Sequence, residues 1–208
     1  MDRSQSRTAA VCILALLAAG FAASPQAPSP PSAAAADFRV EPVAERNVAR
    51  LPAGPLYWRV ESAPAPMDAI SAEEALSLSA EADGRSWLFT LGPQGGRTPG
   101  LRFEAEIGPV PIPEATGWTL RLNRAGGPPG ARTPVHAHPG SEAFFVRSGR
   151  LCQRTSHGDA ELGAGQSMNG HQPGAVMQLT SCGEDDLDQW VMFVLDSSLP
   201  FSAPASFD

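Results

Sequence analysis

Residues 136–142 read His-Ala-His-Pro-Gly-Ser-Glu, and this stretch bears most directly on fold and function. Side chains two positions apart on a β-strand point to the same face, so His136 and His138 can direct two imidazoles toward one point. The bend that follows can fold Glu142 back toward them. Two imidazoles and one carboxylate suit a divalent ion such as Mn, Fe, Ni or Zn. An ordinary strand with a polar face is the alternative interpretation of this pair.

The spacing around these residues resembles a known family. From Gly130 through His136, His138 and Glu142 to Gly149 the chain follows the pattern G-x5-H-x-H-x3-E-x6-G. This pattern is similar to the first motif of the cupin superfamily at every fixed position. The resemblance implies a small jelly-roll β-barrel in which the two histidines and the glutamate are metal ligands and the last glycine turns a hairpin.

The resemblance extends to about Asp196, and within it the second cupin motif, G-x5-P-x-G-x2-H-x3-N, is altered. Its expected start is Gly165, but Val176 or Met177 stands where the family has its last histidine. The nearby imidazole is His171, which falls before the Pro-Gly turn. Either His171 enters the cavity as a replacement ligand, or it is a surface residue, and the site then has only His136, His138 and Glu142 or is degenerate. A methionine ligand at position 177 would favour copper, but core packing is its commoner role.

Composition favours one all-β domain. The 208 residues include 42% hydrophobic and 18% charged residues, with 21 prolines and 20 glycines, which are typical of short strands joined by turns. The chain contains no lysine, so Schiff-base chemistry on a lysine is excluded. The formal net charge of -7 offers no basic face for a phosphate backbone, so nucleic acid is not an expected partner.

The N-terminal 24 residues have the layout of a secretory signal peptide. Arg3 and Arg7 precede the apolar run from Ala9 to Ala19, and small residues follow it. No cysteine stands at a cleavage point, so a lipid anchor is not expected. Residues 25–36 consist almost entirely of Pro, Ala and Ser and predict a disordered linker. The mature protein is therefore expected in the periplasm or outside the cell.

Export changes how the cysteines are interpreted. Cys12 leaves with the signal peptide, and Cys152 and Cys182 remain as one pair. In an oxidising compartment a disulfide is the natural expectation, with two buried thiols as the alternative. The cupin resemblance strengthens the disulfide, because it implies that the strands carrying the two cysteines are neighbours.

The rest of the mature chain divides into a β-rich N-terminal extension, residues 37–112, and a barrel core, residues 113–208. Ser71 and Glu74 form a capping box, which predicts one short helix over residues 72–80. A second barrel in the extension is the alternative. The predicted strands cover residues 56–61, 86–91, 101–107, 117–123, 133–138, 143–146, 150–155, 166–169, 176–181 and 189–196.

Two functions fit these observations. The first is a metal-dependent enzyme on a small organic molecule, a dioxygenase-like oxidoreductase or an isomerase, with His136, His138 and Glu142, with or without His171, as ligands. The second is a non-catalytic cupin that binds a small molecule and has a degenerate or structural metal site. A homodimer is implied by the resemblance alone. The sequence identifies no separate acid, base or nucleophile.

Overall fold

The computed structural model describes residues 37–66 and 76–207, and in these ranges the chain forms fourteen β-strands and no helix. The signal peptide and linker predicted over residues 1–36 lie outside the described residues. No helix in these ranges is long and apolar enough to cross a bilayer. The strands are β1 (Arg39–Val48), β2 (Tyr57–Pro64), β3 (Ser77–Ala82), β4 (Arg85–Gly92), β5 (Arg102–Ile107), β6 (Trp118–Gly127), β7 (His136–Ala137), β8 (Gly140–Ser148), β9 (Arg150–Thr155), β10 (Gly158–Gly163), β11 (Ser167–Asn169), β12 (Met177–Ser181), β13 (Leu187–Asp196) and β14 (Ala203–Pro204).

Two five-stranded sheets form the barrel. The first has the order β1-β6-β13-β8-β11, and the second has the order β10-β9-β12-β7-β14. All neighbouring strands in both sheets pair antiparallel. The chain crosses repeatedly between the sheets, so strands adjacent in sequence often lie in different sheets. This is the jelly-roll arrangement, and it confirms the predicted all-β fold.

A third sheet, with the order β3-β4-β2-β5, packs against the outer face of the first sheet. The central strand β13 shows how the layers meet. Trp190, Met192 and Val194 belong to the core shared with the third sheet, whereas the alternate residues Val191 and Phe193 belong to the barrel core. Because both faces of β13 are buried, its sequence is an almost continuous apolar run rather than an alternating one.

The N-terminal extension therefore supplies two features. Its strand β1 pairs with β6 at the edge of the first barrel sheet, and its strands β2 to β5 form the outer sheet. The sequence pattern missed β1, since this strand contains a proline, four charged residues and no apolar alternation. It also missed the edge strand β10 and the two-residue strand β14.

The helix predicted over residues 72–80 is wrong where the structure describes it. Residues 72–75 lie outside the described residues, and Ser77–Ala82 forms strand β3 instead. Leu78 and Ala80 belong to the core between the third sheet and the barrel, which is called the outer core below. The Ser77 hydroxyl hydrogen-bonds the Thr90 hydroxyl on β4 at 2.9 Å. Pairing with β4 outweighs the local capping signal, because a strand here buries its apolar residues on one face.

The predicted disulfide is confirmed. Cys152 on β9 faces Thr180 on β12, and Cys182 follows the end of β12. Their sulfurs are bonded, with the Cα atoms 5.8 Å apart. The Cys182 amide also donates to the Arg150 carbonyl at 3.0 Å, so the hairpin strand and the returning strand are joined both covalently and by their backbones.

Candidate metal and ligand site

A cavity of 340 Å³ lies between the two barrel sheets. Most of its wall is apolar, and Val191, Phe193 and Phe201 are among its lining residues. His136, His138 and Glu142 line the same cavity. Three of the four predicted ligands therefore line one cavity inside the barrel.

The two histidines are oriented by backbone carbonyls. Nδ1 of His136 hydrogen-bonds the Pro134 carbonyl at 2.8 Å, and Nδ1 of His138 hydrogen-bonds the Phe201 carbonyl at 2.7 Å. A carbonyl can only accept, so each Nδ1 donates a proton to its carbonyl, and Nε2 is the atom of each ring left to bind a ligand. The ring centroids are 4.9 Å apart with nearly perpendicular planes. This second bond from Nδ1 is the usual support for a histidine that binds a metal through Nε2.

His138 is held in its neutral form. Burial lowers its pKa to about 4, which outweighs the opposing effect of the hydrogen bond to Phe201. The rings of Phe193 and Phe201 pack against it, with centroid distances of 4.9 and 4.6 Å. At neutral pH the lone pair on Nε2 of His138 is therefore free of a proton.

The side chain of Glu142 is buried, and no hydrogen bond within the described residues replaces its lost contacts with water. It lies on β8 opposite Phe193 and is 2% exposed. Its Oε1 has no hydrogen-bond partner within the described part of the chain. Burial raises the pKa of Glu142 to about 8. The backbone of Gly170 donates to the Glu142 carbonyl at 2.7 Å, and a Cβ atom at position 170 would lie 2.5 Å from the Glu142 Cγ, so only glycine fits there.

His171 does not reach this cavity. Its Nε2 lies 3.0 Å from Oε1 of the buried Gln153, whose Nε2 faces the Met177 sulfur at 3.8 Å. An amide oxygen only accepts, so Nε2 of His171 carries a proton in this arrangement. Burial lowers the pKa of His171. The residue predicted as a replacement ligand and the methionine predicted as its alternative are therefore both engaged with one glutamine.

Sequence reasoning missed three residues of the cavity and its rim: Asn123, Arg121 and Phe201. On β6, Arg121 and Asn123 alternate with leucines that enter the outer core, so polar residues occupy the positions that face the barrel. Phe201 precedes β14, which pairs with β7 and brings the C-terminal segment across the histidines. The signal for Asn123 was this alternation, whereas nothing in the sequence indicated Phe201.

The residues of the histidine motif can be placed on the strands of the barrel. His136 opens β7, Glu142 lies on β8, and Gly149 is the single residue between β8 and β9, with a φ of 71°. The glycine makes a tight turn there, but β8 and β9 lie in different sheets and do not pair, so the hairpin that the cupin resemblance implied is wrong. The barrel is a jelly roll, and the residues that resemble the first cupin motif run from Gly130, ahead of β7, to the turn after β8.

No protein-family model and no curated protein matches this sequence. Among solved structures, the chain is similar to a cupin-like protein from Thermotoga maritima MSB8, with a TM-score of 0.38, 19% identity and coverage of 42% of this chain and 65% of that one. A DMSP lyase from Ruegeria pomeroyi DSS-3 has a TM-score of 0.37 and 21% identity, covering 41% and 43%. Oxalate oxidase in complex with the substrate analogue glycolate has a TM-score of 0.34 and 22% identity, covering 40% and 45%. The chain spans less than two thirds of the length of each of these proteins.

The barrel suits a divalent ion by the chemistry of its donors rather than by a closed geometry. In residues 37–66 and 76–207, no three His, Cys, Asp or Glu side chains stand close enough to hold an ion at once. The donors themselves fit, because two imidazole lone pairs and a carboxyl oxygen without a partner share one cavity. His157, in contrast, is exposed in the turn between β9 and β10.

Proposed function

We propose that this chain is an exported cupin that binds a divalent metal ion through His136, His138 and Glu142 and holds a small organic molecule beside it. The observation that carries the proposal is the unpartnered Glu142 oxygen on the wall that also presents both histidines. A buried polar group without a partner costs free energy, and natural proteins retain such groups mainly where a ligand or an ion completes them.

The protonation states of the chain support this ligand set. His138 is neutral, as a metal ligand must be, while Glu142 holds its proton at neutral pH until a cation replaces it. Binding therefore releases a proton from Glu142 and removes the desolvation penalty of its carboxylate. The metal affinity of the protein is expected to rise with pH through the range near 8.

As an enzyme, the protein would be a metal-dependent oxidoreductase of the dioxygenase type or an isomerase. A divalent ion with an open coordination position supplies Lewis-acid polarisation of a bound molecule. The chain contributes an apolar wall, in which the rings of Phe193 and Phe201 pack against each other and hold the His138 ring in place. A small organic molecule as the substrate and the homodimer both stay predictions.

A non-catalytic cupin that binds a small molecule is the second candidate, and one observation favours it. The side chain of His171 is hydrogen-bonded to Gln153 and is not among the residues that line the cavity. A site with three protein ligands instead of four is expected to bind its ion more weakly. A weakly held ion would suit ligand capture better than repeated turnover.

Export is part of the proposal and has its own support. The Cys152–Cys182 disulfide is of the kind that persists in oxidising compartments. Expression of the full chain in a bacterial host, followed by fractionation and mass determination, tests it. We expect a periplasmic species shortened by about the predicted 24 residues. A full-length cytoplasmic product with reduced cysteines would contradict export.

Elemental analysis tests metal binding. The protein is purified without chelators from medium supplemented with Mn, Fe, Ni, Zn and Cu, and its metal content is compared with that of His136→Ala, His171→Ala and the matched surface control His157→Ala. We expect metal in the unmutated protein, in His171→Ala and in the control, and its loss in His136→Ala. Near-zero metal in the unmutated protein, or metal retained in His136→Ala, would defeat the proposed site.

A further inference from the structure

We propose that Asn123 is the residue that recognises the ligand of the cavity, and that this ligand is a small, mainly apolar molecule bearing a hydrogen-bond acceptor oxygen, as a carboxylate or a carbonyl. The proposal deepens the ligand-binding part of the proposed function and rests on it, but it does not depend on the metal. It follows from the orientation of one buried amide.

Asn123 lies on β6 opposite Val191 of β13, fully buried in the cavity wall. Its Oδ1 accepts a hydrogen bond from Nε of Arg121 at 2.9 Å. Because a guanidinium group has donors only, the atom that faces it must be the amide oxygen. The amide orientation is thereby fixed, and the Nδ2 donors point away from Arg121.

The Nδ2 group of Asn123 finds no hydrogen-bond partner anywhere in the described ranges. A buried donor left unpaired is unfavourable, and an acceptor that reaches it recovers the lost free energy. The neighbouring lining residues Ala125, Val191 and Phe193 offer no side-chain acceptor. His136, His138 and Glu142 line the same cavity and carry acceptors, but none of them hydrogen-bonds this amide. A molecule in the cavity is therefore the available source of an acceptor for it.

Arg121 fixes the orientation of the Asn123 amide, because Arg121 is itself held by other contacts. Its guanidinium forms an ion pair with Glu45 on β1 at 3.2 Å and stacks over the Phe201 ring at 4.1 Å. Three contacts, on β1, on β6 and on the C-terminal segment, hold Arg121 in place. Rotation of the Asn123 amide would put two donors face to face and break the bond to Arg121.

The cavity defines the remainder of the ligand. Its volume of 340 Å³ lies near the lower end of the range of about 300–1,000 Å³ for small-molecule sites. The mostly apolar wall with few polar groups fits a molecule with an apolar body and one polar end. Gln189 and Ser181 also face the barrel with unpartnered atoms in the described structure, but neither is among the lining residues, so they do not compete with Asn123.

Binding of three probes of similar size tests the inference: benzoate, benzamide and toluene, which has no acceptor. Affinities are measured on the full chain and on Asn123→Leu, each with its metal removed by chelator and again after metal reloading. We expect both acceptor-bearing probes to bind the unmutated protein more tightly than toluene, and roughly tenfold more weakly to Asn123→Leu. The affinity for toluene should be unchanged or higher in this variant.

Two further variants keep the test decisive. Gln189→Leu removes a barrel-facing amide outside the cavity lining and should leave all three affinities unchanged. Asn123→Asp keeps the shape and the acceptor for Arg121 while removing the donor, so it covers the case in which Asn123→Leu does not fold. It should weaken benzoate more than benzamide, because the new carboxylate repels an anion.

The proposal is overturned if benzoate and benzamide bind no better than toluene, including the case of no binding at all, or if both Asn123 variants retain the difference. Metal content measured on the same samples separates this result from the fate of the metal site. Binding that depends on Asn123, in a protein that takes up no metal when it is reloaded, would refute the metal proposal alone. Metal binding through His136 without any effect of Asn123 would refute this inference alone.

Discussion

Two buried glutamates, one in the outer sheet and one in the barrel, have opposite surroundings. Glu61 on β2 is 0% exposed and has a full set of partners: Nε of Arg59 at 3.0 Å, and the amide and hydroxyl of Thr98 at 2.8 and 2.7 Å. Glu142 on β8 is 2% exposed, and its Oε1 has no partner among the described residues. The same residue type at the same depth is thus satisfied in one place and left unsatisfied in the other.

The difference in hydrogen-bond partners assigns the two glutamates different roles in this chain. Glu61 stabilises the outer sheet by fastening the loop that carries Thr98 over it. Glu142 contributes nothing comparable to the barrel, since its carboxyl group loses hydration and gains no bond there. This cost is the reason that we propose a metal ion as the missing partner of Glu142.

Removing the Glu61 carboxylate, which has a full set of partners, should have the largest effect on the free energy of unfolding. Glu61→Leu removes one member of a buried ion pair and leaves Arg59 and Thr98 without their acceptor. We expect a loss of about 3–5 kcal/mol in the free energy of unfolding, measured by urea denaturation at pH 7. Glu61→Gln, which keeps an acceptor for Thr98, should lose less. Equal stability of Glu61→Leu and the unmutated protein would show that these bonds do not hold the outer sheet.

Removing the Glu142 carboxyl group, which finds no partner in the residues that the structure describes, should change the free energy of unfolding by less and in the opposite direction. Glu142→Leu replaces a buried polar group without a partner by an apolar side chain of similar size, so the chelator-treated variant should gain about 1–3 kcal/mol in the free energy of unfolding. The same denaturation experiment measures it, with Glu142→Gln as the control that keeps a polar group in the site. A loss of stability in Glu142→Leu would mean that the carboxyl group has a partner in solution.

The pH dependence of Glu142 gives the finest comparison. Burial raises its pKa from 4.5 to about 8, so below pH 4.5 both the folded and the unfolded chain hold the proton. Between these values the unfolded chain releases the proton and the folded chain keeps it, so the stability contributed by this group is lost as the pH rises toward 8. In chelator-treated protein, the free energy of unfolding relative to Glu142→Gln should fall by about 1 kcal/mol for each pH unit between 5 and 8.

Urea titrations of both proteins across this pH range supply the measurement. Taking the difference from Glu142→Gln removes the contributions that both proteins share, including that of His138 at lower pH. A difference that stays constant from pH 5 to 8 would show that Glu142 titrates as an exposed carboxyl group does.

Much of the barrel could be predicted from the sequence. The spacing from Gly130 to Gly149 identified the fold, and each predicted strand corresponds to a strand in the structure, although only His136–Ala137 of the predicted segment 133–138 is regular. The pairing of Cys152 with Cys182 was predictable for the same reason, since the jelly-roll order makes β9 and β12 neighbours. These features depend on local patterns or on a fixed topology.

The remaining features depend on contacts that no local pattern encodes. Residues 77–80 form a strand because β4 pairs with them, although a capping box precedes them. The bond between His171 and Gln153 joins a loop to β9, and the placement of Phe201 against His138 joins the end of the chain to its motif. The unpartnered state of Asn123 and Glu142 is likewise a property of the assembled barrel.

The chain carries four tryptophans, and all of them belong to one side of the molecule. Trp58, Trp87 and Trp190 are buried in the core between the outer sheet and the barrel, and Trp118 packs against it. The intrinsic fluorescence of the protein therefore reports on the attachment of the outer sheet rather than on the cavity. Trp190 and the cavity residue Val191 are consecutive on β13. A backbone shift caused by ligand binding in the cavity would therefore reach a tryptophan through a single peptide bond.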